Sequence, residues 1–114
     1  MPCIQLSTNQ EITREKETNL KQKFGKSIEL VPGKTERWLM VSLQGGCRMY
    51  FAGDDQKPIA FVKVGLFGKA PQTAYDKLTS ALTDAISLEL GVEPARIYIQ
   101  YEESQYWGWN GGNF

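Results

Sequence analysis

Apolar and polar residues alternate from Cys3 to Ser7 (C-I-Q-L-S), the period of a strand with one buried face. The period then changes. Thr13 is placed to cap a helix in which Leu20, Phe24, Ile28 and Val31 recur at helical spacing, with Lys and Glu between them. Gly25 weakens that helix locally, and Pro32-Gly33 stops it. Trp38 to Gln44 (W-L-M-V-S-L-Q) is a nearly continuous apolar run, which reads as a strand buried on both faces. Arg48 to Ala52 reads as a short extra strand, and Asp54-Asp55-Gln56-Lys57-Pro58 as a loop.

The plan then repeats. Ile59 to Leu66 is a strand and Gly68-Lys69-Ala70-Pro71 a turn. Tyr75, Leu78, Leu82, Ala85 and Ile86 form the stripe of a second helix ended by Gly91, and Ile97 to Tyr101 is a strand. The stretch Gly33–Val41 aligns with Gly91–Ile99 at a constant offset. The expected fold is therefore α+β, one βαβ unit used twice, giving a four-stranded sheet with two helices on one face. That plan leaves one sheet face uncovered. With strands apolar on both faces, homo-oligomerisation through the sheets is expected to cover it. The aromatic, glycine-rich tail from Tyr106 to Phe114 is expected to dock on the body or on a neighbour.

Length and composition narrow the function. The 114 residues form a single domain, 1–114, able to bury roughly 60–70% of its unfolded surface. Thirteen cationic and thirteen anionic side chains balance, which argues against nucleic acid as a partner. The absence of histidine removes the usual general base and the commonest metal ligand. No apolar stretch is long enough to span a bilayer, and the start turns polar at Ser7-Thr8-Asn9, unlike a leader peptide. No membrane association, no metal and a cytoplasmic location are expected, with any extracellular role needing export without a leader.

The chemistry centres on Pro2. Cells commonly remove an initiator Met ahead of a small residue, and the chain would then start with a prolyl secondary amine. A free α-amino group titrates at about 7.7–8.0, a prolyl amine somewhat higher; an apolar pocket or a nearby cation lowers it. Such a base suits proton abstraction beside a carbonyl. Taken alone, Pro2 reads better as a residue that starts a strand. Asp54-Asp55 and Glu102-Glu103 read as solvated carboxylates. Cys3 points away from Pro2 along a strand, and neither Cys3 nor Cys47 has a histidine to activate it.

Met1-Pro2-Cys3 with Thr8-Asn9, Pro32-Gly33-Lys34, Arg96-Ile97-Tyr98-Ile99, Trp107-Gly108-Trp109-Asn110-Gly111 and the final Phe114 together change that weighing. In this order, over essentially the whole chain, they resemble the macrophage migration inhibitory factor family of the tautomerase superfamily. The resemblance implies the doubled βαβ fold, assembled as a homotrimer whose sheets line a central channel. It implies keto–enol tautomerisation of phenylpyruvate-type aromatic α-keto acids and dopachrome-like compounds, without a cofactor, with Pro2 as general base. Lys34 matches the lysine that meets the substrate carboxylate; otherwise it would be an ordinary loop lysine. Tyr98 matches the tyrosine that reaches substrate across a subunit boundary, and otherwise would be a plain strand aromatic. Trp38, Phe67, Trp107 and Phe114 fall where the pocket lining lies, unless they are simple packing residues. Trp109 reads as structural.

Departures bear on specificity. Pro58-Ile59-Ala60-Phe61-Val62 stands where some relatives carry Cys-x-x-Cys, so thiol–disulfide chemistry has no residues here. Leu66-Phe67-Gly68-Lys69 replaces Ser-Ile-Gly-Lys. Phe67 can still offer its N–H to a carboxylate, while Leu66 makes the pocket drier. Gln100 replaces an Asn. Trp38 and Trp107 stand for the Tyr and Val of vertebrate relatives and narrow the mouth. The family also contains secreted, cytokine-like interaction proteins, so an alternative reading is a partner of an extracellular receptor with a vestigial pocket.

Overall fold

Thr13 caps a helix as its position predicts: its side chain accepts the Lys16 N–H at 3.3 Å and opens α1 (Arg14–Ser27). Glu15 and Glu17 in the first turn and Lys26 in the last complement the helix dipole. The computed structural model describes all of Met1–Phe114. The main elements are β1 (Pro2–Thr8), α1, β2 (Met40–Gln44), β3 (Ala60–Phe67), α2 (Gln72–Leu90) and β4 (Ile97–Ser104). A small hairpin of β5 (Gly108–Trp109) and β6 (Gly112–Asn113) closes the chain. Helix α2 ends at Gly91, whose φ of 67° a side chain would strain and whose N–H donates to the Ser87 carbonyl. No helix is long and apolar enough to cross a membrane.

The sheet order is β2-β1-β3-β4. Strands β1 and β2 are parallel across α1, β3 and β4 are parallel across α2, and the two units meet through the antiparallel β1–β3 pair. This is the doubled βαβ that the repeat predicts. Alternation sends Ile4 and Leu6 of β1 and Ala60, Val62, Val64 and Leu66 of β3 to one face. There they meet Leu20 and Phe24 of α1 and Leu78, Leu82 and Ile86 of α2 in one cluster, so both helices cover that face. Each large side chain removed from water there contributes roughly 1.5–3 kcal/mol.

Four expectations are corrected. Helix α1 stops at Ser27 and tightens into a 3-10 turn at Ile28–Leu30; Val31 lies beyond it, extended but buried. Trp38 lies in a second 3-10 turn, Glu36–Trp38, and β2 starts only at Met40. Arg48 to Ala52 forms no strand; its one ladder contact is a bridge between Phe51 and Asp54. Finally, no strand is apolar on both faces. In β2, Met40, Ser42 and Gln44 are exposed while Val41 and Leu43 are half-buried, because β2 is an edge strand. The face opposite the helices is mostly polar: one rung across all four strands reads Ser42, Gln5, Lys63, Gln100. That face tolerates water without a partner.

Arg96 ties the long β2–β3 connection to the start of β4. Its buried guanidinium donates to the carbonyls of Pro58, Asp54 and Lys57, pairs with the Asp54 carboxylate at 3.7 Å, and lies 5.3 Å from the Phe51 ring centre. Phe51 in turn meets the Tyr98 ring edge-on at 5.3 Å.

Candidate active site at the amino-terminal end of the sheet

Pro2 starts β1 and is buried, opposite Leu66 of β3 in the antiparallel register. The same register carries Met1 one step beyond the strand, where its carbonyl accepts the Phe67 N–H at 3.1 Å. Lys34 reaches this point from the turn after α1. Its Nζ donates to the Phe67 carbonyl at 3.2 Å. The α-amino group of Met1 titrates below its ordinary value of 8.0, first because it is partly buried, then because of the Lys34 charge and hydrogen bond. The sequence-predicted base position, the cation and the Phe67 amide thus meet in one place. The amide is already engaged by Met1.

Aromatic rings wall this end of the sheet. The β5–β6 hairpin turns back at Asn110 and Gly111, both with positive φ, the conformation that suits a two-residue turn. The Phe114 N–H then donates to the Trp107 carbonyl at 3.1 Å. Phe114 packs on Phe67, centres 5.3 Å apart, and stacks on Trp109 at 6.5 Å with planes 8° apart. Trp109 meets Trp38 edge-on at 5.3 Å. Trp107 covers Gly65, where an added Cβ would touch its ring at 4.0 Å. The tail therefore docks on its own body, one of the two placements expected for it. Trp109, read from sequence as structural, is a central link of this wall; the Asn-Gly turn that folds it back was the available signal.

Three predicted residues are not brought here. Leu66 is 1% exposed and belongs to the core. Its side chain faces the helices because Phe67, its neighbour on the strand, faces the other way, so the expectation that Leu66 dries a pocket wall is corrected. Tyr98 and Gln100 lie toward the opposite end of β4. Glu103 is level with Leu66 and hence with Pro2, which leaves Tyr98 about 16 Å and Gln100 about 10 Å away along the strand. Within one chain these two residues do not share a site with Pro2.

Other groups offer less chemistry. Burial raises the Cys3 thiol pKa, the wrong direction for a nucleophile. No three His, Cys, Asp or Glu side chains converge to hold a metal. A cleft of about 600 Å³ lies between α1 and the free edge of β2. It is lined by Glu17, Lys21, Glu36, Leu39, Val41 and Leu43, none of them part of the Pro2 cluster.

Comparison with known proteins bears on the family and the fold. A family model described as macrophage migration inhibitory factor (MIF) matches residues 1–114. The crystal structure of Leishmania major MIF2 superposes with a TM-score of 0.92 at 29% identity, covering 100% of this chain and 97% of that one. A MIF homologue from Prochlorococcus marinus gives 0.87 at 30% identity, covering 98% of each. A MIF-like protein from Entamoeba histolytica, 18% identical, shares the fold with a TM-score of 0.87 and covers 98% of its own length and 99% of this chain. Among curated protein sequences no match is found. The whole-chain family match, on a doubled βαβ fold with a buried proline at its amino-terminal end, shows that the chain belongs to the macrophage migration inhibitory factor family of the tautomerase superfamily, whose members are isomerases.

Proposed function

We propose that this chain is a keto–enol tautomerase for aromatic α-keto acids of the phenylpyruvate type, and for dopachrome-like compounds, with Pro2 as the base. The observation that carries the reading is the meeting of the Pro2 end of β1, Lys34 and the Phe67 amide beside an aromatic wall. Removal of Met1 would do two things at once. It exposes the prolyl amine, and it withdraws the carbonyl that occupies the Phe67 N–H. Lys34 and that N–H then receive the substrate carboxylate. The environment that lowers the Met1 amine would act on the prolyl amine in the same direction, favouring the neutral base.

The chemistry needs one proton and no cofactor. Neutral Pro2 takes a proton from the carbon beside the keto group, and the electron pair of the broken C–H bond forms the C=C bond of an enolate. The carbonyl π pair moves onto oxygen, and protonated Pro2 returns its proton to that oxygen, giving the enol and restoring the neutral amine; the reverse order gives the ketone. Tyr98 and Gln100 enter this reading only from a neighbouring chain, in a homotrimer that places one chain's β4 against the next chain's Pro2. Phenylpyruvate tautomerisation by the mature protein and by Pro2→Gly tests the assignment. The variant should lose about 100-fold or more in kcat/KM. Equal rates would remove Pro2 from the mechanism.

The second reading, a secreted, cytokine-like interaction protein, is favoured by the Met1 carbonyl on the Phe67 amide, which closes the anion position while Met1 is present. Mass spectrometry of the natural protein separates the two: a free Pro2 supports catalysis, a retained Met1 supports binding alone.

A further inference from the structure

The aromatic wall has a cation at each end. Lys34 holds the Phe67 carbonyl, and from there the rings run Phe67, Phe114, Trp109, Trp38. Over the ring of Trp38, 5.2 Å from its centre, lies the guanidinium of Arg37. Neither cation is neutralised within the chain: the three ion pairs within 4.0 Å are Arg14–Glu17, Lys23–Glu89 and Arg96–Asp54. The carboxylate adjacent in sequence, Glu36, is turned away and lies over Gly25 of α1, in the space a Cβ would need. The rings are also left open. Trp38 is 41% exposed, Trp109 49% and Phe114 55%, so large apolar areas remain uncovered by the chain's own residues.

We propose that this slot takes a planar aryl acid with a second anionic group on the far side of its ring, one anion meeting Lys34 and the other Arg37. The rings supply stacking area for the aryl group. Trp38 holds the guanidinium in place before a ligand arrives, which reduces the ordering cost of the second contact. A planar, forked guanidinium suits a carboxylate better than a mobile ammonium would. The inference deepens the tautomerase reading by naming the substrate class, while the binding it describes does not depend on catalysis.

Two measurements test it. In turnover, the kcat/KM for 4-carboxyphenylpyruvate is divided by that for phenylpyruvate, in the mature protein and in Arg37→Gln. The ratio should fall about fivefold in the variant, the size expected for losing one exposed charge pair. Arg37→Lys, which keeps the charge but not the planar fork, should restore only part of it. In binding, terephthalate and benzoate are titrated by tryptophan fluorescence, and the preference for terephthalate should fall by the same factor in Arg37→Gln. An unchanged ratio in both experiments overturns the slot even if Pro2-dependent turnover is present. A protein that turns over neither keto acid, yet shows the Arg37-dependent preference for terephthalate, keeps the slot and loses the tautomerase reading.

Discussion

At the scale of single residues, buried or shielded charge governs what can be changed. Arg96 is a cation held by three carbonyls, a carboxylate and an aromatic face. Arg96→Gln should cost about 2–4 kcal/mol in urea unfolding, because the carbonyls lose their donors in a half-dry setting. Arg96→Lys should recover only part, since an ammonium cannot fork across three acceptors. Glu89 gives a pH dependence. Its carboxyl titrates below the ordinary value because the Lys23 ammonium, at 2.6 Å, and the Asn19 amide both donate to it. A depressed folded-state pKa adds stability in full above the unfolded value, and that stability is lost as pH falls through the folded one. Glu89→Gln should therefore flatten the acid limb of the melting temperature between roughly pH 5 and 3 and leave the limb above pH 7 in shape. Residue identity in the site was readable where motif order carried it: Pro2, Lys34, Phe67 and Phe114 converge. Leu66 departs from that pattern by strand parity, since β3 cannot aim both Leu66 and Phe67 at the same pocket.

Elements were legible where periodicity was clean. Strands β1, β3 and β4 and both helices lie close to their predicted spans, and Thr13 and Gly91 bound them as caps should. The departures at Trp38 and at Arg48 to Ala52 share one cause: a run of apolar letters does not by itself make one strand. Trp38 belongs to a 3-10 turn, and the repeat held the correction. The offset that aligns Gly33 with Gly91 sets Glu36–Trp38 against Pro94–Arg96, and both triplets form 3-10 turns before a strand. Between Phe51 and Asp54 two reciprocal backbone hydrogen bonds of 3.0 Å close a two-residue turn in which Ala52, at φ 53°, occupies the left-handed region. Asparagine tolerates that region better than alanine. Ala52→Asn should gain about 0.5–1 kcal/mol, read from chemical denaturation. In the helix layer, Leu82→Ala should cost about 2–5 kcal/mol by the same measurement, since Leu82 is wholly buried between α2 and the sheet.

Across the whole molecule, the distance between Pro2 and Tyr98 decides what a lone chain can do. If the proposed site is shared between copies, light scattering should give the mass of three 12.9 kDa chains, and dilution that splits them should abolish turnover. A monomer with full activity would remove Tyr98 and Gln100 from the mechanism. Motif order alone does not show this separation, because distance between ends of a sheet depends on strand register; for Tyr98 only the family resemblance, which sets it across a subunit boundary, implies it. The rung Ser42, Gln5, Lys63, Gln100 has a consequence of its own. A surface of amides, hydroxyls and an ammonium resists being pressed dry against another protein, whereas the outermost strands offer unsatisfied backbone along both rims. If copies assemble as proposed, they would gain most by joining like staves, side to side, and a cask closed in that way would keep a wet bore down its middle.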